Sequence, residues 1–274
     1  MNTEKLRASI LFVLYNNFDE AEGSLASIAA QEDCADVEVI LSDDGSTAYD
    51  SSQLYRAAEA LKEKGRFADV RVNINEKNLG SVAHFNRLFG LARGEYIVFI
   101  SPGDRFPTSR TVAGILEDFE KSKAPVLTGR RRDMRDAGGR VRPFALTGFF
   151  LKHFPKALMN YMVRRHNLIS SCCTAYSKRL FAEYGMPDTR YRLLDDYPYI
   201  VRLLQQGARF AFTRRIFLEH AVGGGVSTGE SIHPVILKDL EEMQEQLLRE
   251  PQGLSKATLR HLEKAVAARK KSGD

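Results

Sequence analysis

The first hundred residues alternate between two hydrophobic periods. Four short apolar runs, Ser9-Ile10-Leu11-Phe12-Val13-Leu14, Val37-Glu38-Val39-Ile40, Val70-Arg71-Val72-Asn73-Ile74 and Tyr96-Ile97-Val98-Phe99-Ile100, predict buried strands. The segments between them change to helical spacing. Residues 18–31 bring Ala21, Leu25, Ile28 and Ala29 to one face behind a cap at Asn17 or Asp19. Residues 52–64 do the same with Leu54, Ala57, Ala58 and Leu61, and Gly65 ends the helix. Beyond Asn78-Leu79-Gly80-Ser81, the residues Val82, Phe85, Leu88, Phe89 and Ala92 turn inward, with Gly94 as the stop. This β-α-β-α-β-α-β order predicts an α/β fold, a mainly parallel, Rossmann-like sheet flanked by helices with right-handed crossovers.

The second half is less regular. A helix is expected from Thr108 through Phe119, a loop or hairpin tip from Gly129 to Arg142, and an aromatic, basic segment from Phe149 to His166. Tyr197, Ile200, Val201 and Leu204 mark another amphipathic helix, ended by Gly207 and followed by short strands near 210–212 and 216–218. A C-terminal helical extension opens near His233-Pro234, with proline at the first helical position, and a second helix starts near Ser255. The expected division is 1–125 and 126–232 as two halves of one domain, with 233–274 as the extension.

Composition narrows the class. A chain of 274 residues with 43% hydrophobic content can bury a substantial core. A net charge of +5 suits anionic substrates or a membrane surface and is too small to point to nucleic acid. Cys34, Cys172 and Cys173 lack a zinc-type C-x-x-C spacing and suit a reducing compartment. Cys172 and Cys173 read as small buried side chains rather than nucleophiles. The polar start shows no signal-peptide pattern and no apolar run reaches bilayer length. A cytoplasmic location is therefore expected, with peripheral contact at the inner face of the membrane.

Acids gather where the expected strands end. The second strand runs into Leu41-Ser42-Asp43-Asp44-Gly45-Ser46-Thr47, the fourth into Ser101-Pro102-Gly103-Asp104, and the Asn78/Gly80 turn follows the third. In an open α/β sheet, ligands bind at the carboxyl edge of the strands. One carboxylate there can accept hydrogen bonds from a base or ribose, and another can hold a hard cation that bridges phosphates. The same residues also make ordinary turns. Asp195-Asp196 opens a helix, which suits capping as well as a general base, and two adjacent carboxylates raise the pKa of one. No P-loop is present, and the place of a G-x-G-x-x-G motif holds Tyr15-Asn16-Asn17-Phe18-Asp19. That stretch also lacks the Gly-rich basic loop of a nucleotidyltransferase.

The succession is specific. It comprises a strand then Tyr15-Asn16, Val39 through Thr47, Asn78-Leu79-Gly80 with Phe85-Asn86-Arg87, Gly94 through Asp104, and Asp195-Asp196-Tyr197-Pro198. It resembles the family 2 glycosyltransferases of GT-A fold over residues 7–228, most strongly before residue 106. The resemblance implies an inverting enzyme with a nucleoside-diphosphate sugar lying across the carboxyl edge. By position, Leu14, Tyr15 and Asn16 would border the nucleobase, and Asp43 or Asp44 would bond the base or ribose. Gly80 would let the backbone approach the nucleotide. The family's Asp-x-Asp motif is reduced here to its last acid, so Asp104 would hold Mn2+ or Mg2+ and Ser101 would bond the ribose. His220 is a candidate second metal ligand. Asp196 matches the catalytic base, with Asp195 in the place of a glutamate. The glycine-rich segment Val222–Thr228 is expected to close over the donor.

The arginines of Gly129–Arg135 and the aromatic, basic segment behind them suit a glycan or lipid-linked glycan acceptor, in surface polysaccharide synthesis. The same segments are also compatible with a solvated loop and a core helix. The alternative function is a catalytically weakened GT-A domain that binds nucleotide or glycan without efficient transfer. Ser101 in place of the first acid motivates it, and Asp196 argues against it, because a pure binder needs no base.

Overall fold

The computed structural model describes residues 6–134, 139–221 and 232–272. The chain begins β1 (Ala8–Leu14), α1 (Ala21–Ala29), β2 (Val37–Asp43), α2 (Ser52–Glu63), β3 (Asp69–Ile74), α3 (Ser81–Leu91) and β4 (Tyr96–Ile100). It continues α4 (Thr111–Ser122), β5 (Val126–Asp133), β6 (Val141–Arg142), α5 (Ala145–His153), α6 (Pro155–Arg164), β7 (Thr174–Ser177) and α7 (Lys178–Tyr184). It ends α8 (Tyr197–Gln205), β8 (Phe210–His220), α9 (Pro234–Arg249) and α10 (Lys256–Ser272).

One sheet runs β3-β2-β1-β4-β7-β5-β6, and β8 pairs with β5 outside this path. β1, β2, β3 and β4 are parallel, as the alternating periods predict. Past β4 the sheet turns mixed, because β7 lies antiparallel between β4 and β5. Side chains alternate across the strands. Ile10, Phe12, Val39, Leu41, Val98 and Ile100 enter one core with α1, α2 and α4. Leu11, Ile40, Ile97 and Phe99 enter the other, which α6 and α8 complete and which Met243, Leu247 and Leu262 of α9 and α10 also join.

Several boundaries differ from expectation. Gly129 to Asp133 belong to β5, which pairs with β6 as a hairpin, so the expected loop is in part strand. Three consecutive arginines hid it. Their charges are tolerated in a strand because Arg131 pairs with Asp133 and Arg132 with Glu219, while their stems cover apolar surface. The strands expected at 210–212 and 216–218 are one strand, β8, whose register to β5 shifts near Arg130. The aromatic segment forms two helices, broken where Pro155 begins α6. Neither Asn17 nor Asp19 caps α1: Phe18–Glu20 form a 3-10 turn, and Asn17 Oδ1 accepts the Tyr15 amide at 3.0 Å. The segment Val222–Thr228 lies outside the described residues. Among those residues, no helix is long and apolar enough to cross a membrane.

Candidate active site

The carboxyl ends of β1 and β2 are bonded into one unit. Leu14 is buried, and its contribution to the edge is a carbonyl that accepts the Asp44 amide at 3.0 Å. The next two residues leave the core. Tyr15 is 48% exposed, and Asn16 takes a left-handed conformation at φ 53°. The Asn16 amide donates to Ser46 Oγ at 2.7 Å, and its Oδ1 accepts from the amides of Thr47 and Ala48 at 2.9 and 3.1 Å. The short polar side chain of asparagine makes this conformation affordable.

Asp43 and Asp44 are both buried, and they are occupied differently. Asp43 Oδ1 accepts from Ser46, through its hydroxyl at 2.5 Å and its amide at 3.1 Å, and the Asp43 carboxylate also acts on the Tyr49 hydroxyl, whose pKa burial raises and the carboxylate helps to raise. Asp44 accepts Asn75 Nδ2 at 2.8 Å and the amides of Leu79 and Gly80 at 3.0 and 2.9 Å. It therefore holds the turn that follows β3. Behind it, His84 Nε2 and Ser42 Oγ lie 2.6 Å apart, and burial keeps the imidazole pKa below its ordinary value. Gly80 sits at φ +86°, and a Cβ there would lie 2.7 Å from the Arg192 carbonyl oxygen. The close approach that needs a glycine is thus made by Arg192, whose carbonyl also accepts the Val82 amide at 3.3 Å.

At the end of β4, Ser101 closes a turn by accepting the Asp104 amide at 3.0 Å. Asp104 is buried at the edge, and its Oδ1 lies 2.8 Å from His220 Nδ1, at the end of β8, and accepts the Ala221 amide at 3.1 Å. Burial opposes charge on His220, but the Asp104 hydrogen bond together with the charges of Cys172 and Asp104 outweighs it, and the imidazole pKa is raised. The Arg105–Glu219 bridge beside them fixes the two strand ends together. Two protein donors, one carboxylate and one imidazole, thus lie adjacent 116 positions apart in sequence. Among the described residues, no set of three or more His, Cys, Asp and Glu side chains could cage a metal. A cation on Asp104 would take its remaining ligands from phosphate oxygens and water, and His220 would join it only as the neutral imidazole.

Asp196 stands at the head of α8, where its Oδ2 accepts the Ser171 amide at 3.1 Å. Burial lifts its carboxyl above the ordinary range, while the Ser171 and Tyr197 amides and the Arg131 guanidinium pull it back. Asp195 is lifted further, by burial and by the Asp196 charge. The sequence marked Arg131 only as one arginine in a cluster. Here its Nη1 donates to Ser170 Oγ at 2.8 Å and to Cys172 Sγ at 3.6 Å, and its Nε to Asp133 Oδ1 at 3.1 Å. Cys172 differs from its buried neighbour Cys173. A hydrogen bond from Cys173, helped by His220 and Arg131, pulls its thiol below the usual range, although burial opposes this.

Asp239 of α9 was not marked by any motif. This buried residue's Oδ2 accepts three successive amides, from Arg192 at 3.0 Å, Leu193 at 2.7 Å and Leu194 at 2.9 Å. It pins the segment that delivers Asp195 and Asp196. A cavity of about 230 Å3 lies behind Asp195, between α8 and α9, away from the Asp43 and Asp104 edge.

The architecture matches known structures. S. aureus TarS 1–349 superposes with a TM-score of 0.67 at 15% identity, covering 93% of this chain and 70% of that one. The same protein in complex with UDP-GlcNAc gives 0.65 at 15% identity, over 96% and 71% of the two chains. The mannosyltransferase PcManGT from Pyrobaculum calidifontis, in complex with GDP-Man and Mn2+, gives 0.62 at 16% identity, over 99% and 77%. A search of curated protein sequences finds no match. The family model described as Glycosyl transferase family 2 matches residues 9–185. These residues include β1 through β4, both strand-end acid motifs and the Ser171 amide that holds Asp196. The chain belongs to glycosyl transferase family 2, and its fold is the GT-A fold.

Proposed function

We propose that this glycosyltransferase moves a sugar from a nucleoside-diphosphate sugar to a hydroxyl of a glycan or lipid-linked glycan. The transfer proceeds with inversion, in surface polysaccharide synthesis on the cytoplasmic side of the membrane. The observation that carries the proposal is a separation of roles at one sheet edge. An ionisable base, Asp196, is held by the Ser171 amide, and the Asp104–His220 pair lies across the strand ends.

The exposed ring of Tyr15 offers a face to the base, with Asn16 as its rigid support. Asp43 has oxygen lone pairs left for the base or ribose, and Ser101 serves the ribose. Asp44 and Gly80 shape the turn beside them. Asp104 and His220 are the residues that would hold Mn2+ or Mg2+, and such a cation supplies charge neutralisation at a diphosphate. Arg131 adds a fixed cation in the same region. Asp196 accepts the proton of the acceptor hydroxyl. The acceptor oxygen bonds to the anomeric carbon, and the bond to the diphosphate oxygen breaks with its electron pair on the departing nucleoside diphosphate. Attack from the opposite face gives inversion through an oxocarbenium-like transition state.

Calorimetric titration with UDP, GDP, CDP and dTDP, each with and without Mn2+, tests the donor half. Selective binding of one nucleotide, strengthened by Mn2+, is expected. No binding by the folded protein would remove the donor site. Binding with no turnover would favour the weakened domain that Ser101 suggests.

A further inference from the structure

Residues 137–182 contain no Asp or Glu and eight Lys or Arg. The acid-free run holds α5 and α6, and large apolar side chains are exposed along α5 and the turn into α6. Phe144, Leu146, Phe149, Phe150, Phe154 and Tyr161 are each between 37% and 64% exposed, and they are six of the eleven large hydrophobic residues exposed among those described. The rings are contiguous. Phe149, Phe150 and Phe154 have centroids 5.9 to 6.0 Å apart, and His153 lies 4.8 Å from Phe149. Scattered exposed apolar side chains need no explanation, whereas a joined cluster marks an interaction surface.

The cluster is not a poorly seated core. α5 buries its opposite side, Thr147, Gly148 and Leu151, against β8. Gly148 lets the Phe212 ring come so near that a Cβ would lie 2.1 Å from it. The helix is therefore firmly docked, with its phenylalanines left outside. Lys152, Lys156, Arg164 and Arg165 are exposed around the rings, and among the described residues none of them has a carboxylate partner. An amphipathic helix pair with aromatic rings on its face and unpaired cations beside them has the chemistry of an interfacial membrane anchor. Rings settle at the headgroup level, and Lys and Arg reach anionic headgroups.

We propose that the α5–α6 face docks on an anionic phospholipid bilayer, with Phe149, Phe150 and Phe154 in the interface and Lys152, Lys156, Arg164 and Arg165 at the headgroups. The proposal stands on this surface alone and goes beyond the transfer reaction. Its placement suits that reaction. The Met162 carbonyl of α6 accepts the Tyr197 hydroxyl at 2.7 Å, one residue from Asp196. The chain leaving α6 then reaches Ser171, whose amide holds Asp196. A membrane-borne acceptor would thus arrive beside the base.

Co-sedimentation of the full chain with vesicles tests this. Vesicles of phosphatidylcholine with about one third phosphatidylglycerol should bind about tenfold more protein than pure phosphatidylcholine, and raised salt should reverse the difference. Phe149→Ser with Phe154→Ser should abolish binding. Lys152→Glu with Lys156→Glu, which leaves the apolar face intact, should remove the preference for anionic vesicles. Nucleotide affinity should be unchanged in both, so a failed donor site and a failed membrane site are read separately. Absent binding, binding indifferent to lipid charge, or binding unaffected by either double variant overturns the proposal. So does a dimer that the phenylalanine variant dissociates in the absence of vesicle binding, since the face would then belong to a second copy.

Discussion

Arg131 acts on the protonation of Asp196, and the direction is testable. The guanidinium favours the ionised carboxylate, against the burial that lifts its pKa. Only the ionised form can take a proton from an acceptor hydroxyl. Activity should therefore rise through an acid limb above the ordinary carboxylate range. Arg131→Gln removes the cation and should move that limb to higher pH, because the carboxylate becomes harder to ionise. A limb that stays in place would remove Arg131 from the environment of the base. Asp195 and Asp196 are adjacent, so the measured limb belongs to the pair. At this scale the sequence named the acids and missed their surroundings. Asp104 and Asp196 stand in recognisable runs at a strand end and a helix start. The contacts that distinguish Asp43 from Asp44 come from Ser46, close by, and from residues 75–80, over thirty positions away. No local pattern reports such partners, and none told which arginine of the cluster meets Cys172.

Between elements, α9 governs the segment before α8. Asp239 supplies one carboxylate oxygen to three successive amides, 45 to 47 positions earlier in the chain. Asp239→Ala leaves three part-buried amide donors without their acceptor, and a loss of about 1–3 kcal/mol in urea unfolding is expected. Asp239→Asn keeps an acceptor and removes the charge, so it should fold with a smaller loss. In that variant kcat should fall more than KM rises, because the base is misplaced while the donor edge is intact. An unchanged kcat would restrict Asp239 to stability. The C-terminal helices carry little motif signal, yet both are expected, one from proline at its first helical position and the other from a start near Ser255. What spacing could not reveal is that a buried acid inside α9 reaches the active-site segment. Likewise β1 to β4 were legible from the switch between two periods. β5 was hidden by its arginines, and the four-residue β7 is too short for any period.

Across the molecule, β2 carries a brace at one end and the site at the other. Glu38, near its start, is fully buried, accepting from Ser9 Oγ at 2.6 Å, Arg71 Nη2 at 2.7 Å, and the Arg93 amide and Nε at 2.6 and 2.8 Å. These bonds outweigh burial and hold its carboxyl below the ordinary value. Glu38→Gln should cost about 1–3 kcal/mol at neutral pH, since two partly exposed arginines lose a shared charged acceptor. A group with a lowered folded pKa contributes stability above its unfolded pKa and loses it as pH falls through the folded one. The gap between parent and variant should therefore narrow in acid, and a gap constant from neutral pH to pH about 3 would contradict the assignment. A rigid parallel half is what allows the opposite ends of β1, β2 and β4 to present a fixed donor edge. The claim that joins these scales is that Asp196 is the base of transfer. Nucleoside diphosphate release from a panel of UDP-, GDP- and dTDP-sugars, measured for the parent and for Asp196→Asn, tests it most directly. The account predicts a fall of about a hundredfold or more in release, with nucleotide affinity within about twofold of the parent. Equal release by the variant would contradict it.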